Sequence, residues 1–76
     1  MALYILYDTR GILSPEEANV LDTFSAKNDK AAIKKAEEYW GEYSWALYEG
    51  DYLIAWKTWK RKRGKRISIY WDKFQT

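Results

Sequence analysis

The sequence predicts a single α+β domain, in which an antiparallel sheet of four to five strands carries one main helix on one face. The chain has 76 residues, enough for one domain. Its hydrophobic fraction of 47% and aromatic fraction of 18% exceed those of a disordered chain. One segment has apolar residues at helical spacing, and before and after it in the sequence apolar residues recur at every second position. The expected order is strand, strand, helix, strand, strand, strand.

The N-terminal segment, Leu3 to Asp8, predicts a strand with apolar residues on both faces, and therefore a strand inside the sheet. The following Ser14-Pro15-Glu16-Glu17 has the pattern of a capping box, which predicts a short helical turn. Residues 15–24 fit either helix or strand. We favour a strand over Asn19 to Ala26, because a second and stronger helix start follows it directly.

That second start predicts the main helix. Asn28 or Asp29 can cap its first turn, and it is expected to run to about Trp40, with Gly41 as the stop signal. The residues expected to face the sheet are Ala32, Ile33, Ala36 and Trp40. Trp40 is expected to be fully buried.

The C-terminal half predicts two hairpins. The first begins with a strand in which Trp45 and Leu47 alternate with Ala46 and Tyr48, and Glu49-Gly50-Asp51 is expected to form its tight turn. The return strand is expected from Tyr52 to about Lys60. In it, Leu53, Ala55 and Lys57 are expected on one face, and Tyr52, Ile54, Trp56 and Thr58 on the other. Gly64 predicts a further reversal before a last strand from Ile67 to Trp71.

Charge is unevenly distributed along the chain. The formal net charge is +2, but Met1 to Trp56 holds 5 basic and 10 acidic residues, whereas residues 57–76 hold 8 basic and 1 acidic. This asymmetry indicates that the C-terminal part meets an anionic surface.

The segment from Lys57 to Arg66 is the main candidate binding site, because seven of its ten residues are cationic and rings lie beside it. This combination suits phosphate neutralisation with stacking. The candidate residues are Lys57, Trp59, Lys60, Arg61, Lys62, Arg63, Lys65, Arg66 and Trp56. Two alternatives remain open: the charges protect an edge strand from aggregation, or they dock on an acidic protein surface.

The five Trp and seven Tyr are too many for one buried sheet face, so several rings are expected at the surface. Exposed Trp and Tyr anchor protein interfaces and single-stranded nucleic acids. Cross-strand pairs that cover the open sheet face are the alternative for any one ring.

The sequence predicts no enzyme, cofactor or metal site. It contains no His and no Cys, which removes the commonest general base, thiol chemistry and disulfides. The carboxylates Asp8, Glu16, Glu17 and Asp22 could converge near the first loop, as could Glu49, Asp51 and Asp72 elsewhere, but no substrate cleft is expected. An acidic patch that imitates DNA is the alternative use for them. No apolar run approaches the ~18 residues of a membrane span, so a cytoplasmic protein is expected.

Four segments together resemble small phage and mobile-element proteins of the anti-CRISPR kind, some of which inhibit type I CRISPR surveillance complexes. They are the opening Leu-Tyr-Ile-Leu-Tyr-Asp, the strand ending Phe24-Ser25-Ala26, the helix from Asp29, and Trp45-Ala-Leu-Tyr-Glu. The resemblance covers about residues 3 to 60 and is one of layout. It implies a non-enzymatic inhibitor that binds an RNA-guided complex. The basic segment departs from the acidic, DNA-imitating members of that group.

Two functions are therefore expected. The first is inhibition of a host nucleic-acid-processing complex by occupation of a binding surface, with a protein or ribonucleoprotein as partner. The alternative is direct binding of DNA or RNA through the basic segment. A plain structural or assembly domain is a third and weaker hypothesis.

Overall fold

A computed structural model of the chain describes residues 2–9 and 19–75, which form one five-stranded antiparallel sheet and one helix. The elements are β1 (Ala2–Asp8), β2 (Asn19–Ala26), α1 (Asp29–Trp40), β3 (Trp45–Glu49), β4 (Tyr52–Lys62) and β5 (Lys65–Asp72). The strands lie in the order β2-β1-β3-β4-β5, so β1 is an interior strand. The predicted fold class, the element order and the strand over Asn19 to Ala26 are confirmed. The predicted turn at Ser14 to Glu17 lies outside the described residues.

Helix α1 begins as the sequence predicts. The Asn28 side chain accepts a hydrogen bond of 2.8 Å from the backbone N–H of Ala31, which satisfies an amide of the first turn. Ala32 and Ala36 are fully buried, and their small side chains let the helix lie close to the sheet. Within the described ranges, no helix has the length and apolar character needed to cross a membrane.

Steric crowding explains why the residue after the helix is a glycine, Gly41. Helix α1 ends at Trp40 with Gly41 as its C-cap, as the sequence predicts, but the φ of −60° at Gly41 is right-handed, so backbone conformation is not what selects glycine here. A Cβ at this position would collide with the carbonyl oxygen of Glu37, so only glycine fits without a shift of the helix end.

The core lies between α1 and the middle of the sheet. Its largest fully buried side chains are Trp45, Tyr4, Leu6, Leu47 and Ile54. The expectation that Trp40 is fully buried is wrong: it is half-buried at the end of the helix, and its Nε1 donates a hydrogen bond of 3.2 Å to Asp22. Trp45, on the central strand β3, is the fully buried tryptophan, with 0% exposure.

An irregularity in β4 changes the predicted faces of that strand. The register between β3 and β4 shifts between Leu47 and Tyr48. Ile54 and Ala55 are consequently both buried, while Leu53 pairs with Tyr48. The strict alternation expected for Leu53 and Ile54 is therefore wrong, because a bulge adds one residue to the strand.

A hydrogen-bonded chain fixes the start of α1 to the sheet. The hydroxyl of Tyr4 donates to Asp29 Oδ1 at 2.5 Å, and Lys73 Nζ lies 2.6 Å from Asp29 Oδ2. The hydrogen bond from Lys73, with that from Tyr4, lowers the pKa of the Asp29 carboxyl. Burial, followed by the bond to Asp29, raises the pKa of the Tyr4 hydroxyl.

Candidate functional site

The basic segment forms a two-stranded ribbon that continues past the rest of the sheet. Trp45 pairs with Lys57, and beyond that pair β5 is the only described strand that pairs with β4, as far as Lys62 opposite Lys65. We call residues 58–69 the basic ribbon; they include six cations and no carboxylate. The predicted strand limits at Lys60 and Ile67 are each two residues short, because cross-strand pairing continues to a two-residue turn.

The turn at the ribbon tip places a cation in an unfavourable backbone conformation. Arg63 has a φ of 53° and Gly64 a φ of 77°, which is the two-residue pattern of a type I′ turn. Gly64 adopts this region freely, but a left-handed conformation costs a residue with a side chain about 1 kcal/mol or more. Asparagine or glycine would suit the position better, so the turn does not explain the arginine.

Cations of the ribbon face one another across the strands. Arg61 lies directly opposite Arg66, and Lys62 opposite Lys65. Like charges in directly opposite positions destabilise a strand pair. Within the described part of the chain, ion pairs involve Lys57 and Lys73 but none of the ribbon cations. Edge protection needs only one or two charges, so it does not account for this arrangement.

Trp59 fixes the base of the ribbon against the end of the helix. Its indole Nε1 donates a hydrogen bond of 3.1 Å to the carbonyl oxygen of Gly41, and its backbone N–H donates one of 3.1 Å to Ser44 Oγ. The Arg66 guanidinium lies 4.0 Å from the centre of the Trp59 ring and donates to the carbonyl oxygen of Glu42. Trp59 therefore positions Arg66 on the helix side of the ribbon.

Lys57 lies at the base of the ribbon, where its Nζ is 5.0 Å from the centre of the Trp59 ring that also contacts Arg66. Its Nζ is 3.0 Å from Glu37 Oε2, and its side chain is only 12% exposed. Lys57, one of the predicted site residues, thus joins the sheet to the helix. Lys60, Arg61, Lys62, Arg63 and Lys65 are exposed.

The sheet face opposite the helix, which we call the open face, carries no second layer of described helices or strands and is rich in apolar side chains. Trp56 lies on this face, directly opposite Trp71 on the neighbouring strand. Around Trp56 is a cavity of about 480 Å³, open to solvent, which we call the open groove. It is lined by Thr9, Ala46, Tyr48, Leu53, Trp56, Thr58, Lys60 and Ile69. The groove and the ribbon are continuous, because Lys60 and Ile69 belong to both.

Negative charge is segregated on the other side of the sheet. The described strands hold four carboxylates, Asp8, Asp22, Glu49 and Asp72, and strand alternation places all four on the helix side. Asp22 accepts its hydrogen bond from Trp40 there. Glu16 and Glu17 lie outside the described residues. The open face of the described strands therefore combines rings, aliphatic side chains, hydroxyls and lysines without a carboxylate.

The groove contains residues that the sequence did not indicate as functional. Tyr48, Leu53 and Ile69 line it beside Trp56. The bulge turns Leu53 to this face, and cross-strand pairing sets Ile69 opposite Thr58. Neither the bulge nor the register is encoded in a local pattern.

No protein-family model, curated protein or solved structure matches this chain.

Proposed function

We propose that this protein is a non-enzymatic binding protein whose basic ribbon docks on the phosphate backbone of a nucleic acid. The observation that carries the proposal is the set of six ribbon cations, two pairs of which face each other, with no ion pair to a carboxylate of the described residues. Phosphates placed around such a ribbon relieve the repulsion and release counterions from the nucleic acid. The lack of His and Cys supports a binding role over catalysis.

The shape of the ribbon favours a nucleic acid over an acidic protein patch. A two-stranded antiparallel ribbon is narrow enough to enter a nucleic-acid groove. Its cations lie on both faces and at the tip: Lys60, Lys62 and Lys65 on the open side, Arg61 and Arg66 on the helix side. A flat protein patch would meet only one of these faces, whereas a phosphate backbone can surround the ribbon.

Inhibition of a nucleic-acid-processing complex, such as an RNA-guided CRISPR complex, is the second candidate function. It is supported by the order strand, strand, helix, hairpin, on which the resemblance to anti-CRISPR proteins rests. In this proposal the ribbon binds nucleic acid within the complex and blocks its surface. The test is target-DNA binding by a purified type I surveillance complex, with and without this protein; unchanged DNA binding at saturating protein would refute inhibition at this step.

Nucleic-acid binding is tested by fluorescence anisotropy with labelled oligonucleotides in a salt series. Contact with about four to six phosphates predicts a decrease of log affinity with log salt whose slope is about −3 to −5. The test variant replaces Lys60, Arg61, Lys62 and Lys65 with Gln. The matched control replaces the exposed helix-side cations Lys27, Lys30, Lys34 and Lys35 with Gln.

Both variants lose four positive charges, so a difference in their affinity for nucleic acid reflects where the charges lie and not the change in net charge. The ribbon variant is expected to lose most of its affinity and most of the salt slope, and the control to keep both. Failure of the wild-type protein to bind any nucleic acid at about 50 mM salt would refute the proposal. Equal losses in the two variants would refute the ribbon as the contact surface.

A further inference from the structure

We infer that the preferred ligand is single-stranded nucleic acid, with bases stacked in the open groove around Trp56 and phosphates held by the lysines of the ribbon. This inference rests on the proposed function and names the substrate class. The juxtaposition that carries it is the open groove, which shares Lys60 and Ile69 with the basic ribbon.

The groove offers the contacts that an unpaired base needs. Trp56 and Tyr48 provide rings, while Leu53 and Ile69 provide apolar walls. Ile69 and Ile67, on the ribbon strand beside the groove, are 38% and 41% exposed. Bases of single strands stack on aromatic rings such as those of Trp56 and Tyr48 independently of sequence, because every base has a π face, and the isoleucines add apolar contact. A duplex keeps these faces inside its own stack and cannot use the groove in this way.

Charge on this face complements a phosphate backbone along one line. Lys60 lines the groove, and Lys62 and Lys65 continue the same face toward the tip. Lys62 lies six positions after Trp56 in the extended strand β4, about 20 Å away at ~3.3 Å per residue. The open face of the described strands has no carboxylate to repel phosphates. A strand of several nucleotides could therefore lie along β4 with bases in the groove and phosphates on the lysines.

The test compares labelled oligo(dT) of about 12 nucleotides with a duplex of the same length. The variant Trp56→Leu keeps an apolar side chain but removes the stacking plane, whereas Trp56→Phe keeps a ring. The control, Tyr39→Leu, removes a ring that is 70% exposed on the helix. Trp56→Leu is expected to weaken oligo(dT) binding by about 5- to 100-fold. Trp56→Phe is expected to restore most of this affinity, and Tyr39→Leu to change nothing.

Two further readouts distinguish this inference from the proposed function. Trp56→Leu should leave the salt slope and the duplex affinity unchanged, because it removes no phosphate contact. If Trp56→Leu does not fold, the indole N–H signal of Trp56 in NMR spectra of the wild-type protein decides: it should shift on addition of oligo(dT) and not of duplex.

Three results would overturn the inference while the ribbon proposal stands. They are equal wild-type affinity for duplex and oligo(dT), a Trp56→Leu variant with wild-type oligo(dT) affinity, and a Trp56 indole signal that oligo(dT) does not move. A concentration-dependent dimer that buries Trp56 would also overturn it, because a second copy would then occupy the groove. Loss of all nucleic-acid binding in the wild-type protein would refute both proposals.

Discussion

Replacement of Arg61 and Lys62 by Glu is expected to stabilise the fold. In the wild-type chain these residues lie directly opposite Arg66 and Lys65. The double substitution converts two like-charge pairs into two pairs of opposite charge. A sequence that retains the repulsive pairs gives up stability at this site, as expected if the cations serve an external ligand.

The size of the gain follows from the exposure of the pairs. A directly opposite charged pair contributes about 0.2 to 1 kcal/mol, and a like-charge pair costs a similar amount. Because all four residues are exposed, solvent keeps each term near the lower end of this range. Two converted pairs remove two repulsions and add two attractions, so the free energy of unfolding should rise by about 1 kcal/mol. In a domain of this size, each kcal/mol raises Tm by about 4 to 8 °C.

The assay is thermal and urea unfolding of the Arg61→Glu/Lys62→Glu variant at low and high salt. The corresponding Gln double variant should show about half the gain, because it removes repulsion without adding attraction. The gain should shrink at about 1 M salt, where the Debye length is ~3 Å. A variant less stable than the wild type at low salt, or a gain that salt leaves unchanged, would refute the argument from charge repulsion.

Three other perturbations follow from the structure. Arg63→Asn should raise the free energy of unfolding by about 1 kcal/mol, because asparagine tolerates the positive φ; a loss in urea melts would contradict this. Trp45→Ala should cost about 3 to 5 kcal/mol and more than Trp40→Ala, because only Trp45 is fully buried; equal losses would contradict the assigned core. The folded state lowers the pKa of the Asp29 carboxyl below its ordinary value of 3.8, so the ionised carboxylate stabilises the fold at pH values above 3.8. This stabilisation is lost as the pH falls through the folded-state pKa. Asp29→Asn should therefore lower stability at pH 7 and flatten its decrease in acid; an unchanged acid limb would exclude Asp29 as its source.

Local sequence patterns predicted the elements of this fold well. Asn28 before an apolar stripe marked the start of α1, and period-two alternation marked the strands. The errors arose where tertiary contacts decide. Trp40 fits the helical stripe but lies at the end of the helix, where its indole reaches Asp22. Nothing local distinguishes it from Trp45, which the central strand buries.

The candidate site was predictable in composition and not in geometry. The basic segment was evident from charge, and strand alternation alone places Trp56 and Trp59 on opposite faces, but which of these faces meets the helix follows from tertiary packing. Lys57 looked equivalent to the other cations, but alternation turns it toward Glu37. The open groove depends on the bulge that turns Leu53, and a bulge is set by pairing between strands.

Backbone amide NMR of the wild-type protein titrated with oligo(dT) tests directly whether the basic ribbon and the face continuous with it contact nucleic acid. The largest shift changes are expected on residues 56–69 and on β3 near Tyr48. The chemical shifts of amides on the solvent-facing side of α1, such as those of Glu38 and Tyr39, should not change. Shift changes centred on the acidic helix side, or no changes at all at low salt, would contradict this contact.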